Sequence, residues 1–242
     1  MILRFVAIVV LLFTFSCAKE KAEPTAVTAY KEAYEIIQDK DYAVAAEKFE
    51  KVADDFAFSS LAPKAQMMAV YAYYKAQEYE DVNKASNDFF TIFPSDKNTD
   101  YVMYLKGLSF YDQMPYIDRS QDDTKNASMI FREIVARYPQ SRYVDDLKKK
   151  ITIIDTNISG SYMSKGRYFM NNELYAAAIK NFQEVTFRYR HTNQICEAYY
   201  RLMEIFYKIG VDDLALDYAK NLKSECSNSE WLKKSDKIVK KF

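Results

Sequence analysis

Glycine, proline and histidine are scarce in this chain of 242 residues. It contains four glycines, five prolines and one histidine, against 21 tyrosines and 16 phenylalanines. Because few residues can break a helix or form a tight turn, the composition favours long helices. The apolar content of 49% is ample for a hydrophobic core, which argues against a wholly disordered chain.

An excess of charge of one sign is also missing. Thirty-four basic residues balance thirty-four acidic ones, whereas nucleic-acid-binding proteins usually carry a basic excess. No second histidine, suitably spaced cysteine or glycine-rich phosphate loop accompanies His191, and a zinc site would need several such ligands. The sequence therefore predicts no catalytic site, metal, cofactor or nucleic-acid partner, and an enzyme is the least favoured interpretation.

The N-terminus reads as a targeting segment. An apolar run, residues 5–15, follows Arg4. At about 1.5 Å per residue, a helix of this length cannot cross a hydrocarbon core of about 30 Å. We therefore interpret residues 1–16 as a secretory signal peptide, which is excluded from the fold.

The end of the signal peptide resembles the lipobox of bacterial lipoproteins. A small residue, Ser16, precedes Cys17, although Thr14 stands where that family usually has leucine. In that family the cysteine thiol receives diacylglycerol and the new amino terminus is acylated, commonly with palmitate. The resemblance implies a lipidated Cys17, residues 17–28 as a flexible tether and, because Ala18 is not aspartate, sorting to the outer membrane. The alternative is an unmodified cysteine after an ordinary signal.

One apolar phrase recurs along the rest of the chain, with apolar or small residues at positions i, i+3 and i+7. Its copies are Phe49-Val52-Phe56, Ser86-Phe89-Phe93, Phe131-Ile134-Tyr138, Phe182-Val185-Tyr189 and a degenerate Ala219-Leu222-Cys226. These positions share one helix face, and their recurrence predicts a helical repeat array. Such arrays bind polypeptides far more often than they catalyse reactions.

The positions around each phrase resemble the tetratricopeptide repeat, a helix-turn-helix unit of about 34 residues. Small residues such as Ala33 and Ala45 in repeat 1, or Gly107 and Ala127 in repeat 3, allow its two helices to approach closely. The resemblance implies an all-α, superhelical solenoid of about five repeats.

The spacing of the phrases sets the predicted boundaries. Repeats 1–3 occupy residues 29–142 with an inserted turn at about 111–124, and an extended helix and repeats 4 and 5 occupy residues 143–227. A basic tail, residues 228–242, has two interpretations: it contacts anionic lipid head groups, or it caps the solenoid.

Three segments make the resemblance more specific. They are the nonapeptide DYVMYLKGL at residues 100–108, the tripeptide Asp118-Arg119-Ser120, and Tyr138-Pro139-x-Ser141-x-Tyr143. In this order, behind a lipoprotein signal and two repeats, they closely resemble the BamD family of the outer-membrane β-barrel assembly machine. The resemblance covers residues 17–227.

The resemblance implies a lipid-anchored scaffold on the periplasmic face of the outer membrane. The C-terminal repeats of that family bind the POTRA region of the central barrel subunit, BamA, and other assembly-complex lipoproteins are further partners. Its N-terminal repeats are suited to the C-terminal targeting strand of unfolded outer-membrane proteins. The alternative function is a periplasmic repeat scaffold that coordinates envelope constriction or cell-wall synthesis.

The candidate site residues form two groups. Tyrosines expected to line a groove for the substrate peptide are Tyr30, Tyr34, Tyr71, Tyr74, Tyr101 and Tyr104. The alternative for each tyrosine is a residue that packs between helices. Residues expected to contact a partner are Asp118, Arg119, Ser120, Asn172, Tyr175, Lys180 and Asn181.

Two of these partner positions have particular alternatives. Arg119 can form two hydrogen bonds to a carboxylate, either on a partner or on Asp122 or Asp123. The loop can otherwise be self-bonded and merely close the insertion. Asn181, beside Lys180, stands where well-studied members of the family carry a basic residue for the barrel partner.

Two cysteines remain besides Cys17. Cys196 begins helix A of repeat 5 and Cys226 ends its helix B. Because these helices are antiparallel and the compartment is oxidising, we expect a disulfide between them. The bond requires the two Cα atoms to lie within about 7 Å, and the alternative is a pair of buried small residues.

Overall fold

Eleven α-helices account for most of the described chain. The computed structural model describes residues 25–240, so Cys17 and the predicted signal peptide lie outside the described residues. The helices are α1 (Ala26–Gln38), α2 (Tyr42–Asp55), α3 (Ala62–Ala76), α4 (Tyr79–Ile92), α5 (Thr99–Asp112), α6 (Asp122–Arg137), α7 (Val144–Asn171), α8 (Tyr175–Arg188), α9 (Ile195–Lys208), α10 (Asp212–Glu225) and α11 (Glu230–Val239). Residues 25–240 contain no β-strand.

Helices α1 to α10 pair in chain order into five helix-turn-helix units, and each unit also contacts the next. Three hydrophobic cores follow one another along the chain, one under repeats 1 and 2, one under repeat 3 and the first half of α7, and one under repeats 4 and 5. Such nearest-neighbour packing is how a solenoid builds a continuous core. The prediction of an all-α solenoid of about five tetratricopeptide repeats is confirmed.

The recurring phrase marks the end of each second helix. Its i+3 residue is buried in all five repeats. Its i+7 residue is the C-cap, with φ between −122° and −129°, and its backbone N–H donates to the carbonyl of the i+3 residue. The phrase therefore supplies both a core anchor and a helix stop.

Repeats 1, 2, 4 and 5 share one turn between their two helices. Lys40, Gln77, Glu173 and Gly210 each adopt a left-handed φ of 60–75° there. In each turn this residue and the next donate backbone hydrogen bonds to two carbonyls in the last turn of the first helix. This is the Schellman motif, in which glycine is the residue without steric cost. Among these four repeats, only repeat 5 has glycine at this position.

Within repeats 3 and 4, the paired helices touch at a glycine. An added Cβ on Gly107 would lie 2.4 Å from Phe131 Cε1, and one on Gly166 would lie 2.4 Å from Phe182 Cε1. Both phenylalanines are fully buried, so the rings have no space to move away. These two contacts fix how closely α5 approaches α6 and α7 approaches α8.

The two insertions pack against each other. In repeat 3, residues 113–121 replace the short turn. In repeat 4, the first helix, α7, is extended to 28 residues. Asn157 Nδ2 in the middle of α7 donates to the carbonyl of Pro115, 3.3 Å away. Ile117 fills the space beside Gly160, where an added Cβ would lie 3.4 Å from Ile117 Cγ2.

Two predicted boundaries need correction. The inserted turn is shorter than the predicted 111–124, because Asp112 continues α5 and Asp122 begins α6. The predicted tether of residues 17–28 extends too far, because α1 starts at Ala26. Thr25 caps that helix in a capping box with Thr28, and such a cap stabilises a helix start that hydrophobic spacing does not mark.

A buried carboxylate connects repeats 3, 4 and 5. Asp155 on α7 has a side chain that is only 2% exposed. Arg132 Nη2 on α6 donates to both of its oxygens, at 2.7 and 2.6 Å. His191 Nε2, in the connection between α8 and α9, lies 2.8 Å from Asp155 Oδ2. Both partners reach the carboxylate from half-exposed positions, which leaves Asp155 as the buried member of this cluster.

Replacing Gly107 by alanine should destabilise the protein by about 1–3 kcal/mol, because the new methyl group overlaps the buried ring of Phe131. The usual gain of about 1 kcal/mol for glycine to alanine within a helix is too small to offset this overlap. The matched control is Gly160→Ala, which has room and should be neutral or stabilising. Urea unfolding followed by circular dichroism measures both, and equal effects would contradict the close-contact explanation.

Replacing Arg132 by leucine should destabilise the protein by about 2 kcal/mol, because the buried Asp155 carboxylate loses its main partner. Replacing both Arg132 and Asp155 by leucine should recover at least half of this loss. The control is Arg137→Leu on the same helix, whose ion pair with Glu133 is on the surface and should matter little. A double variant as unstable as the sum of its single variants would count against the cluster.

Candidate functional site

The six candidate tyrosines lie in pairs on α1, α3 and α5, the first helices of repeats 1–3. Each pair is spaced by three or four residues, so its two rings lie on one helix face. We call these six residues the tyrosine surface. Tyr34 is 47% exposed, whereas the other five are partly buried. The structure therefore brings the predicted residues onto consecutive helices but embeds most of them.

Tyr143, at the start of α7, organises the far end of the tyrosine surface. Its ring stacks on Tyr104 with centroids 4.3 Å apart and on Tyr101 with centroids 5.6 Å apart. The guanidinium of Arg142 lies 4.9 Å from the Tyr143 ring centroid. Two of the motifs that carry the family resemblance, the DYVMY segment and Tyr143, thus meet in space.

Several tyrosine hydroxyls are already engaged. Tyr74 donates to Asp112 Oδ2 at 2.8 Å, and Tyr104 donates to Asp146 Oδ2 at 3.0 Å. Burial and then these carboxylates raise the pKa of both tyrosines well above the ordinary value. Burial, with Tyr143 nearby, raises the pKa of Tyr101 to about 12. At neutral pH all three are therefore neutral hydrogen-bond donors.

The loop around Asp118, Arg119 and Ser120 is exposed. Ser120 Oγ donates to Asp122 Oδ2 at 2.7 Å. The buried Gln121 closes the loop, because its Nε2 donates to the carbonyls of Tyr116 and Arg119. Serine and glutamine thus provide the self-bonding that the alternative interpretation expected.

The intrachain alternative for Arg119, a pairing with Asp122 or Asp123, is not formed in the described chain. Within residues 25–240 its guanidinium has no hydrogen bond or ion pair, and Asp122 pairs with Lys125 instead, at 4.0 Å. Asp123 likewise forms no ion pair in the described chain. The Arg119 side chain is consequently available to a partner.

An exposed apolar strip crosses the turns of repeats 4 and 5, and we call it the turn strip. Its members are Tyr168, Leu174, Ile209, Val211 and Leu214. Lys208 Nζ binds Glu173 Oε1 at 3.3 Å and lies 5.2 Å from the centroid of the Tyr175 ring. These contacts place the end of α9 beside the turn of repeat 4, so the exposed apolar residues lie on neighbouring turns.

The residue that follows the left-handed turn position distinguishes the C-terminal repeats from repeats 1 and 2. Leu174 and Val211 occupy the residue after the left-handed position and are 54% and 38% exposed. At the same turn position repeats 1 and 2 carry Asp41 and Glu78. The backbone is shared, whereas the side chains change from acidic to apolar, and exposed apolar patches commonly mark interaction sites.

The predicted partner residues of repeat 4 lie beside the turn strip and along α8. Asn172 caps α7 and is exposed, and Tyr175 begins α8. Asn181 Nδ2 donates to the carbonyl of Ala177 at 2.8 Å. Lys180 is exposed, and together with Asn181 it borders a shallow cavity of about 350 Å³ between α7 and α8.

The Sγ atoms of Cys196 and Cys226 are joined in the structure, and their Cα atoms are 5.8 Å apart. This separation satisfies the geometric requirement for a bridge.

Cys226 is the C-cap of α10 and Ser229 caps α11 three residues later. Trp231 of α11 packs on Tyr200 of α9, with centroids 5.3 Å apart. The residues of the basic tail described here therefore form a helix that covers the end of the solenoid.

Neither a metal site nor a membrane-spanning helix is found among residues 25–240. No group of three or more histidine, cysteine, aspartate or glutamate side chains there is placed to hold a metal ion. None of the helices in this range combines the length and the hydropathy that a membrane crossing requires.

The architecture defines the class of protein, an α-solenoid of tetratricopeptide repeats. Residues 22–222 match the YfiO family, described as an outer membrane lipoprotein. The chain belongs to this family. The resemblance to the BamD family, drawn from the sequence motifs, is confirmed by this match and by the relatives below.

Curated relatives agree. The chain is 29% identical over 215 residues to the outer membrane protein assembly factor BamD of Rickettsia prowazekii, covering 89% of this chain and 86% of that protein. It is 26% identical to BamD of Caulobacter vibrioides, covering 86% and 71%. It is 28% identical to BamD of Neisseria meningitidis, covering 84% and 80%. PilW, a type IV pilus biogenesis factor, aligns in structure at 12% identity with a TM-score of 0.41, covering 86% of this chain and 97% of PilW.

Sequence reasoning missed the Asp155 cluster and the turn strip. A signal for the first was present, because Asp155 lies on the apolar face formed by Ile151, Ile154 and Ile158. A buried charge on such a face requires partners. The turn strip gave no comparable signal, because hydrophobic periodicity does not show which turn residues remain exposed.

Replacing Cys196 and Cys226 by serine should destabilise the protein by about 3 kcal/mol, because the unfolded chain loses a constraint that spans 30 residues. Urea unfolding under non-reducing conditions measures the change. Adding a thiol reductant should destabilise the wild type similarly and leave the double variant unaffected. A wild type in which both thiols react with an alkylating agent before reduction would show that the bridge does not form.

Proposed function

We propose that this chain is a non-enzymatic scaffold lipoprotein of outer-membrane protein assembly. Membership of the YfiO family and the names of the curated relatives support this role. The observation that carries the proposal is the turn strip, where repeats 4 and 5 have the exposed apolar residues Leu174 and Val211 at the turn position that is acidic in repeats 1 and 2. A scaffold of this kind acts by binding, and its surfaces therefore determine what it does.

The turn strip is the proposed contact for the POTRA region of a BamA-type barrel subunit. Leu174 and Val211 provide apolar area, and the exposed Asn172 beside them provides a polar group. Tyr175 contributes its ring, because its hydroxyl is buried. Lys180 and Asn181 lie further along α8 and extend the contact if the POTRA region reaches the cavity between α7 and α8. An apolar centre with a polar rim is typical of protein interfaces.

The tyrosine surface is the proposed contact for the targeting strand of unfolded outer-membrane proteins. Tyr34 offers an exposed ring and hydroxyl. Tyr71 carries no hydrogen bond to another described side chain and lies close enough to Tyr101 to contribute to its raised pKa. Tyr30, Tyr74 and Tyr104 hold the helices in place behind these two. In this arrangement Tyr30, Tyr74 and Tyr104 form the floor, and Tyr34 and Tyr71 bind the strand.

Lipidation of Cys17 is the proposed anchor. Cys17 lies eight residues before Thr25, where the described structure begins. Even fully extended, these residues span at most about 28 Å. A lipid on Cys17 would consequently hold repeat 1 close to the inner face of the outer membrane, with other assembly-complex lipoproteins as neighbours. The alternative role in envelope constriction or cell-wall synthesis gains no support from the names of the relatives.

Tagged protein purified from detergent-solubilised membranes should carry with it a POTRA-containing barrel protein, identified by mass spectrometry. The paired substitution Leu174→Asp and Val211→Asp should reduce this recovery at least tenfold, because it introduces the charge that repeats 1 and 2 carry at the same turn position. Ile92→Asp, which alters an exposed apolar residue on α4, is the matched control and should have no effect.

Two results would contradict different parts of the proposal. Recovery of cell-division or wall-synthesis proteins by the wild type, without a barrel protein, would overturn the proposed function. Undiminished recovery of the barrel protein by the paired variant would leave the function in place and rule out the turn strip as the contact.

A further inference from the structure

A groove runs between α4 and α6, with α5 as its floor. Its volume is about 650 Å³, within the range of about 300–1,000 Å³ typical of ligand sites. Phe90, Met103, Phe110 and Ile130 provide apolar walls, and Met129 at the rim is 63% exposed. We call this the α4–α6 groove.

The α4–α6 groove lies on the opposite side of α5 from the tyrosine surface. With about 3.6 residues per turn, Met103 and Lys106 point roughly half a turn away from Tyr101 and Tyr104. Neither the tyrosine surface nor the turn strip contributes a residue to it. The inference that follows therefore stands independently of the proposed function.

A cation without an acidic partner lies in the groove. Lys106 Nζ donates to Asn87 Oδ1 at 2.6 Å and lies 5.8 Å from the Phe90 ring centroid. Within the described chain no carboxylate is within ion-pair distance of it, because Glu133 pairs with Arg137 on α6. Burial lowers the pKa of Lys106, and the field of Glu133 opposes this only in part. A half-buried ammonium whose partner is a neutral amide would gain from a carboxylate.

Asparagine amides line both sides of the groove. Asn83 and Asn87 are one turn apart on α4, and Asn126 faces them from α6. Asn83 Oδ1 is buried and accepts no hydrogen bond from the described residues. The side chain of Asn126 likewise forms no hydrogen bond within residues 25–240. Asn83 Nδ2 already donates to the carbonyl of Tyr79, and Asn87 Oδ1 already accepts from Lys106. The amide groups without a partner in the described chain are Asn83 Oδ1, Asn87 Nδ2 and both groups of Asn126, which offer a donor and an acceptor to a peptide bond.

The spacing of the two α4 amides suits an extended chain. Residues four apart on a helix are separated by about 6 Å along its axis. Alternate residues of an extended strand repeat every 6.5–7 Å or so. Asn83 and Asn87 can therefore reach successive peptide groups on one edge of an extended segment, while its side chains enter the apolar part of the groove.

We propose that the α4–α6 groove binds an extended polypeptide segment of a partner protein, in which apolar side chains flank one acidic side chain. The apolar residues pack on Phe90, Met103 and Phe110, and the carboxylate pairs with Lys106. A segment without an acidic residue would bury the ammonium unpaired.

A random twelve-residue peptide library displayed on phage tests this proposal. It is selected on the purified full chain in detergent micelles, after removal of phage that bind protein-free micelles or the Met129→Glu variant. Met129→Glu alters only an exposed rim residue and brings a negative charge close to Lys106. We expect the retained peptides to be enriched in aspartate or glutamate flanked by leucine, isoleucine or phenylalanine.

The selected peptides are then synthesised with a fluorescent label for binding measurements. Affinity should fall at least tenfold for Lys106→Met and change less than threefold for Lys106→Arg, which keeps the charge. Replacing the acidic residue of the peptide by its amide should cost as much on the wild type, and should add no loss on Lys106→Met. Circular dichroism and urea unfolding establish that the variants keep the fold.

Three outcomes would overturn the proposal. The library could yield no peptide that prefers the wild type to Met129→Glu. The selected peptides could lack an acidic residue. Their affinity could also be the same for the wild type and for a correctly folded Lys106→Met variant.

Discussion

The close approach of paired helices at a small residue is the contact on which this solenoid depends. Gly107 and Gly166 leave space that the rings of Phe131 and Phe182 fill, and an added methyl group has no room beside either ring. Because interiors are packed as densely as crystals, the contact sets the distance between helices to within tenths of an ångström. The contact therefore sets the helix spacing in repeats 3 and 4, and the arrangement of their surfaces follows from it.

Those surfaces differ although the backbone repeats. The turns of repeats 1, 2, 4 and 5 use one hydrogen-bonding pattern and one left-handed residue. The next position is acidic in repeats 1 and 2 and apolar in repeats 4 and 5, and the exposed strip depends on that change. In the same way, one face of α5 holds stacked tyrosines while the opposite face forms the floor of the α4–α6 groove. Several surfaces therefore share a single packing scheme.

Much of the fold could be predicted from the sequence because the signals were local. A phrase of three residues located every second helix, and the structure adds that its last residue is the cap. The antiparallel pairing of helices placed Cys196 beside Cys226. The extended helix was visible as apolar residues spaced by three and four.

The remainder depended on the neighbours of a residue rather than on its type. Tyr74 and Tyr104 look like binding residues in the sequence, yet Asp112 and Asp146, distant in the chain, engage their hydroxyls. Asp155 lies on an apolar helix face in the sequence, but only the packed helices show that Arg132 and His191 are its partners. Arg119 was expected to have two possible partners in its own loop and has neither, because Ser120 and Gln121 supply the hydrogen bonds that close the loop.

Helix α7 has a mechanical consequence. Its 28 residues form a rod about 42 Å long at about 1.5 Å per residue. Its N-cap, Tyr143, stacks on Tyr101 and Tyr104 of the tyrosine surface. At its other end lie its C-cap, Asn172, and Tyr168 of the turn strip. A tilt of about 6° around the middle of such a rod displaces each end by about 2 Å in opposite directions. A tilt of α7 that moves its C-terminal end would therefore also move the stacked rings of repeat 3.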